Sequence, residues 1–538
     1  MTTILILGGG TMQEPAIRIS RRKGWRVVLA DGNPAAPARE MADRFECVDL
    51  KDRDGLLALA RNVRESGGLD GVFTAGTDFS SSVAWVAESL GLPGIPFATA
   101  LRATDKCLMR EAFAAAGVPS PRSFCWSGHG DPRALLPGDL EFPLVVKPVD
   151  NMGARGVRRV EDTAALEAAC RSALPLSRSS KVIIEEYMEG PEFSLDAIVH
   201  DGIIAVCGVA DRIIRFPPFF VETGHTMPSE FPASVLREVE EVFRAGIRAI
   251  GIHRGAAKGD IKLTRHGAMV GEIAARLSGG YMSGWTFPLS SGVEVTEAAL
   301  NVAVGLPPGE LSPRWQKVCA ERALISIPGV VASVRGAGDA QRSPGITNLF
   351  LRAAAGDRVV FPENNVQKCG NVLAVHADRR EASRAAARAL ALLDLRLSPL
   401  EESTDAHLRR PGVHESFEQL SAELRDTVRT MASHRGTPPS RIGDAPIDIL
   451  PLEGWEARTE TDWHGLAFAH AVHLACERGG GRVLGGSVGA KSPSSGFAVG
   501  RIFWQAMLRG SHQAGTYVLD SIRESARRGA LPGFLGAP

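Results

Sequence analysis

The chain has 538 residues, 44% hydrophobic and 23% charged, a globular composition and a length sufficient for roughly two to four domains. Lys and Arg number 61, as do Asp and Glu; this balance excludes a global basic field for nucleic acid and an acidic tail, and the composition excludes collagen-like, disordered and disulfide-scaffold classes. The eight cysteines (Cys47, Cys107, Cys125, Cys170, Cys207, Cys319, Cys369, Cys476) are scattered singly and read as reduced core residues. The N-terminus MTTILILGGG has no basic leader, and no apolar run is long enough to span a bilayer, so a cytoplasmic protein without membrane or nucleic-acid partners is expected.

Residues 1–100 alternate strand and helix. Ile4–Leu7 leads into Gly8-Gly9-Gly10 and a helical stretch ending near Gly24; Trp25–Ala30 and Gly71–Thr74 are further strands, and Val83–Leu90 a helix. This alternation predicts a parallel sheet with helices on both faces. The glycine turn, with Asp31 at the end of the next strand, imitates a dinucleotide fingerprint, but Gln13 stands where the third glycine belongs, and a tight strand-to-helix turn is the preferred reading. Gly76-Thr77-Asp78 ends a strand; it either touches substrate or, as the favoured reading, lets Asp78 cap the following helix.

Asp105–Phe113 is an amphipathic helix that stops at Gly117-Val118-Pro119. From about 140 to 305, strands alternate with Gly-rich turns: Leu144–Lys147, Val157–Val160, Val182–Glu186, and a hairpin of Ser194–Val199 with Ile203–Val209 around Asp201-Gly202. Residues 318–395 contain more strands, then a helix from Arg380 to about Leu393. Val413–Ala432 reads as helix, Arg435–Pro446 as linker, and Trp463–Cys476 and Val499–Leu508 as helices flanking the Gly/Ser-rich segment Gly479–Gly496. Gly485–Ser492 approaches a phosphate loop, but Ala490 precedes Lys491 and Pro493 follows, so it is rejected as one. His464, His470 and His473 lie near one helix, where packing is preferred over metal binding.

Four separated features combine into a nucleotide site. Lys106 and Lys147 sit on different elements, and Lys147 ends an apolar strand, an unusual place for a charge without an anion to meet. Asp150–Val157 is a turn whose small residues Gly153, Ala154 and Gly156 allow backbone N–H groups to close over phosphate oxygens. Glu185-Glu186-Tyr187-Met188 can present backbone groups to an adenine edge, and Glu192 can accept from ribose hydroxyls. Asp260 and Glu272 flank a strand–turn–strand segment with Gly267 at the turn, matching the use of one or two carboxylates plus phosphates to hold Mg²⁺.

These segments, with AGVPSP, FPLVVKPVDNMGARGV, VIIEEYMEGPEFSLD, GDIKLTRHGAMVGEIAARLSGG and VQKCGNVLAVHADRREA, resemble the ATP-grasp superfamily of carboxylate–amine ligases over residues 1 to about 395. The branch is that of L-amino-acid ligases, glycinamide ribonucleotide synthetases and biotin carboxylase. The resemblance implies an α/β protein with a Rossmann-like domain (1–104), an ATP-grasp domain of two lobes gripping ATP (105–305) and a small C-terminal lobe (306–400). A helix and linker (401–446) and a mostly helical tail (447–538) follow. It further implies that Lys106 and Lys147 contact phosphates and that the loop with Asn151, Gly153, Ala154 and Gly156 is a phosphate lid. Glu185, Glu186 and Met188 then border adenine, Glu192 holds ribose, Asp260 and Glu272 hold Mg²⁺ (or Mn²⁺), and Arg276 steadies the transferred phosphoryl group. Ala274 stands where many relatives place an Asn metal ligand. Phe219–Ser229 resembles the segment lining the acceptor region, making Glu222 a candidate for a substrate ammonium and His225 a candidate donor; Gly279 and Gly280 complete this set. Tyr281–Trp285 reads equally as an apolar pocket wall or as core.

The expected activity is ATP- and Mg²⁺-dependent joining of a carboxylate to an amine through an acyl phosphate, with an amino acid as one substrate, in a homodimer. The alternatives are an ATP-dependent carboxylase using bicarbonate and an ATP-binding module that has lost its chemistry.

Overall fold

Strand Thr3–Leu7 is buried at every position, as an apolar run without alternation must be when helices cover both sheet faces. In the computed structural model, which describes residues 1–417, 419–436, 445–484 and 497–528, this strand is central to a parallel sheet. Arg26–Asp31 lies on one side, followed outward by Arg44–Cys47, and Gly71–Phe73 lies on the other. Gln13, at the position of the missing third glycine, is buried and bonds both the N–H (3.1 Å) and the carbonyl of Ala75. Asp31 turns inward, accepting from Gly9 N at 2.6 Å and Asn33 N at 2.7 Å. Both tie the glycine turn into the fold.

The chain forms two compact units: Met1–Glu321 with Val375–Arg379, and Arg322–Ala374 with Arg380–Pro538. The first contains two further sheets. An antiparallel sheet of Ser123–Trp126, Val182–Glu186, Leu144–Pro148 and Arg158–Val160, in that spatial order, carries helix Thr163–Ala173 on one face. There Leu144, Val146, Val182 and Ile184 meet Leu166, Ala169, Cys170 and Ala173. The alternate residues Val145, Lys147, Ile183 and Glu185 therefore point the other way.

The second antiparallel set runs Gly267–Ala274, Gly255–Thr264, Glu192–His200, Ile203–Arg215 and Val221–Met227. Helix Ala233–Ile250 covers one face, burying Phe193, Leu195, Phe243, Ile261 and Ile273. The strand period of two sends Glu192, Ser194, Lys258, Asp260 and Lys262 to the opposite face. The predicted turn at Asp201-Gly202 joins His200 to Ile203 as expected.

In the second unit, Gly329–Arg335 lies between Arg358–Val359 and Asp394–Leu397, followed by tail strands His434–Arg435, Ala498–Val499, Ile447–Ile449 and Gly481–Val483. Helices Phe468–Gly479 and Arg501–Arg528 complete the tail, the latter interrupted by non-helical Gly510 and Ser511. The helix expected to end near Leu508 does so at this break, and a second helical stretch follows it to Arg528. The helix expected over Val413–Ala432 starts instead at Ala422, where the Ser421 hydroxyl accepts from Leu424 N and supplies the cap. The helix expected from Trp463 starts at Phe468, and the His464 ring accepts from Ile325 N at 2.9 Å. The phosphate-loop-like Gly485–Ser492 segment lies outside the described residues.

The cysteine expectation is corrected at two points. Cys107 and Cys125 form a disulfide, their Cα atoms 6.2 Å apart; single spacing in sequence carries no information about which strands and helices meet. Cys47 is exposed rather than core. Among the described residues, no helix is long and apolar enough to cross a membrane.

Candidate active site

Lys147 lies opposite Ile183, so Glu185 is its diagonal neighbour across the strand pair. Lys147 Nζ donates to Glu185 Oε2 at 2.5 Å, and Arg110 approaches Glu185 Oε1 at 2.8 Å. Burial opposes ionisation of Glu185, but the charges of Arg110, Lys147 and Lys106 outweigh it and lower its pKa. Its carboxylate is thus the buried counter-ion of two cations, a role absent from the sequence reading. Glu186 accepts instead from Arg122 Nε at 3.3 Å, and Met188 lies beside the strand of Glu272, its terminal methyl 3.7 Å from where a Cβ on Gly271 would stand.

Lys106 opens helix Lys106–Ala115, which Asp105 caps by accepting from Cys107 N and Leu108 N. Its ammonium donates to Asn151 O at 3.1 Å and lies 3.6 Å from Glu272 Oε1, joining the 150–157 loop to the acidic hairpin. Gly153, Ala154 and Gly156 all have left-handed φ (+68°, +60°, +72°), a conformation that favours glycine and excludes bulky branched residues. A Cβ on Gly156 would also stand 2.8 Å from Leu176 and 2.9 Å from Pro148. Asp150 anchors the start of the loop, accepting from Arg178 N and Ser179 N at 2.9 Å each.

Asp260 and Glu272 are direct cross-strand partners. A bulge follows: Asp260 pairs with Glu272 and Ile261 with Val270, leaving Gly271 as the extra residue. Asp260 accepts from Ser194 at 3.1 Å, lies 3.0 Å from Arg212 and pairs with Lys258. Glu272 keeps 30% of its side chain exposed. Burial disfavours its charge, yet Lys106, Lys258, Arg276 and Lys147 together bring its pKa down to about 2. The convergence of four cations on this carboxylate puts all the expected phosphate and metal groups in one place. Ala274, opposite Lys258, offers no oxygen there.

Asp78 joins the same cluster. Helix Ser80–Leu90 has no side-chain cap, which corrects the capping expectation; the Asp78 carboxylate lies 3.4 Å from Arg178. Burial raises its pKa against the pull of Arg276, Arg178 and Lys106. Its turn meets the other glycine segment: Gly76 N donates to Leu277 O at 3.2 Å, and a Cβ on Gly76 would stand 3.1 Å from Gly279 Cα.

The acceptor-region residues also come together. Arg212 binds Glu222 at 2.8 Å, Asp260 at 3.0 Å, and Glu192. Burial would lower the Arg212 pKa, but Asp260, Glu222 and Glu192 raise it. Glu192, expected at ribose, thus has Arg212 and Lys262 (3.6 Å) as ion-pair partners. A Cβ on Gly280 would stand 3.9 Å from Glu222 Oε1. His225 is fully buried. Its Nδ1 is 3.4 Å from both Glu222 and Glu321, and its Nε2 is 2.9 Å from Thr286 Oγ1. Burial opposes its protonation, but the two carboxylates raise its pKa. Both ring nitrogens therefore face protein groups. Glu222, His225 and Glu321 bring donor atoms within 4.8 Å of one another. Tyr281 is buried and stacks edge-on with Trp285 at 5.5 Å, a packing arrangement.

The sequence reading missed Arg110, Arg178, Arg212, Lys258 and Glu321. Two carried a signal: Arg110 follows Lys106 by one helical turn, and Lys258 precedes Asp260 by one strand period. The others come from distant elements.

The family description "ATP-grasp domain" matches residues 140–284, and "L-amino acid ligase C-terminal domain 2" matches 322–398. Residues 140–284 thus carry an ATP-grasp domain and residues 322–398 an L-amino acid ligase C-terminal domain. It is 25% identical over 415 residues to the uncharacterized protein y4rH of Sinorhizobium fredii, covering 76% of this chain and 85% of that one. It is 26% identical to carnosine synthase 1 of Gallus gallus over 62% of this chain and 28% identical to the 3-methyl-D-ornithine–L-lysine ligase of Methanosarcina barkeri over 47%. The matched region spans 39% of the first of these enzymes and 66% of the second. The crystal structure of an L-amino acid ligase from Bacillus licheniformis shares the fold with a TM-score of 0.64 at 22% identity, over 74% of this chain and 99% of that one. A phosphoribosylglycinamide synthetase from Anaerococcus prevotii does so at 0.59 and 19%, over 74% and 100%.

Proposed function

We propose that this protein is an ADP-forming ligase that joins a carboxylate to an amine through an acyl phosphate, with an amino acid as one substrate. The observation that carries this reading is the direct cross-strand pairing of Asp260 and Glu272, with Lys106 3.6 Å from Glu272 and with Lys258 and Arg212 against Asp260. The L-amino acid ligase C-terminal domain match supports an amine acceptor over the bicarbonate alternative.

The carboxylates fit a divalent cation. They are hard oxygen donors, adjacent across a hairpin, and cations already lie against them: Lys258 and Arg212 at Asp260, Lys106 at Glu272. Asp260 and Glu272 would hold Mg²⁺, which supplies charge neutralisation between nucleotide phosphates and the incoming carboxylate. Ala274 would add no side-chain oxygen to that ion.

A substrate carboxylate oxygen attacks the γ-phosphorus, and the bond to the β–γ bridging oxygen breaks, leaving ADP. Two anions meet in this step, so positioning and charge neutralisation carry most of the catalysis. Lys106 and Lys147 take the phosphates, and Arg276 faces the transferred group. The 150–157 loop, with Lys106 on its Asn151 carbonyl, excludes water from the acyl phosphate. The amine then attacks the acyl carbon, loses a proton, and inorganic phosphate leaves. Glu222, next to Gly280, binds the substrate ammonium, with His225 and Arg212 fixing the carboxylate from behind.

The test is ADP and phosphate release from ATP and Mg²⁺ against single and paired amino acids and small carboxylates. Release that requires one carboxylate–amine pair is the expected result; release with bicarbonate alone overturns the amine-ligase reading.

A further inference from the structure

Arg110 has no place in the chemistry above, yet it is 5% exposed and lies between two of the site's elements. Helical spacing stacks it one turn beyond Lys106 on the same face. That face meets the side of the Leu144–Pro148/Val182–Glu186 pair that carries Lys147 and Glu185, with Cys107, Val149 and Ile183 packed beside it. Nη2 of Arg110 makes two contacts. It donates to Gly271 O at 2.6 Å, and it lies 2.8 Å from Glu185 Oε1.

Gly271 is the extra residue of the bulge next to Glu272, so its carbonyl is released from the regular ladder and anchors the guanidinium. The anchored guanidinium then meets one oxygen of Glu185 while Lys147 meets the other at 2.5 Å. Glu185 is 1% exposed, so its charge must be met by protein cations. Lys147 is 17% exposed and reaches toward the phosphates only to the extent that Glu185 is satisfied by something else.

We propose that Arg110 is a positioning residue for Lys147, acting through Glu185: by neutralising the buried carboxylate it leaves the ammonium charge of Lys147 available to a nucleotide phosphate. Without Arg110, both oxygens of Glu185 turn to Lys147 and compete with the phosphate for it. This rests on the reading of Lys147 as a phosphate ligand.

The experiment measures MgATP affinity by calorimetry, independent of turnover, for the full-length wild type, R110M, E185Q and R110M/E185Q. R110M is expected to weaken binding about tenfold, because an uncompensated buried carboxylate captures the lysine. Removing that carboxylate as well is expected to bring R110M/E185Q to within about threefold of E185Q, because the effects of residues that act through each other are not additive. A structural role would make the double variant the weakest of the four. R110M binding like wild type overturns the inference, as does R110M/E185Q binding at least about tenfold more weakly than E185Q. Should R110M not fold, R110Q takes its place in both the single and the double variant, with the same two outcomes deciding. Wild type that does not bind MgATP breaks the underlying reading instead, so the two failures are distinguishable.

Discussion

The candidate site and the C-terminal tail both bury charge, but they use it differently. In the tail, Asp462 is 1% exposed and accepts from His464 N, Leu466 N and the Ser511 hydroxyl, while Asp448, fully buried, pairs with Arg482 at 2.7 Å. Around them Phe468, Phe503 and Trp504 pack ring against ring. Such polar groups serve the fold, because their bonds hold neighbouring segments of backbone. In the candidate site, Glu272 stays partly exposed with Lys106 3.6 Å away, and Arg212 is shared among three carboxylates. Charge shared in this way beside a partly exposed carboxylate can be redistributed when an anion or a cation arrives, whereas the tail's two carboxylates are closed off from solvent.

The sharpest break in that comparison comes from removing a site charge. K147A or E272A is expected to reduce ADP release at least about 100-fold, as loss of a group acting mainly on developing charge does, with the far-UV dichroism spectrum unchanged. In the tail the order reverses. Trp504 is fully buried and its indole N–H donates to Leu450 O at 2.8 Å; W504A is expected to cost about 3–5 kcal/mol in denaturant unfolding while MgATP affinity stays at the wild-type value.

Asp196 tests the boundary between the two behaviours. It is fully buried and accepts from Ser278 N and Ser278 Oγ, both at 2.9 Å. Burial pushes its pKa up to about 6 from an ordinary 3.8, against the pull of those hydrogen bonds. A carboxyl whose folded pKa is raised contributes stability below about pH 3.8 that is lost as pH rises through about 6. D196N keeps an acceptor for Ser278 without the charge, so at pH 8 it is expected to unfold about 1–3 kcal/mol harder than wild type, with the difference vanishing below pH 4. Equal stability at both pH values would mean that Asp196 is not desolvated. The smallest effect is expected from A274N, which restores an amide oxygen beside Glu272: a few-fold lower Mg²⁺ requirement in the ADP-release assay, with no change meaning that water already fills that position.

Much of the site was legible because chemistry and periodicity coincide locally. Lys147 at the end of an apolar strand, small residues at 153, 154 and 156, and carboxylates on either side of a turn are patterns within short windows. The reading failed where a residue's partner lies far away in sequence. Asp78 looked like a helix cap because Ser80 begins a helix two residues later, but Arg178, 100 residues distant, takes its carboxylate. His225 has Glu321 and Thr286 against its ring, and neither is near it in the chain. Cys107 and Cys125 looked unpaired because nothing in their spacing says that the helix packs on that strand.

The sequence by itself determined the strand–helix alternation of residues 1–100 and the strands around Lys147 and Glu185, because alternation and helical repeat act over a few residues, but not the helices Thr163–Ala173 and Ala233–Ile250 that cover the antiparallel sheets. It also determined the kinds of donor available to phosphate and metal. Only the tertiary structure decided which charges neutralise one another. Arg110 reaches Gly271 across 161 residues and meets Glu185 on yet another element. Electrostatic balance depends on distances through space and on exclusion of water, and neither follows from local pattern.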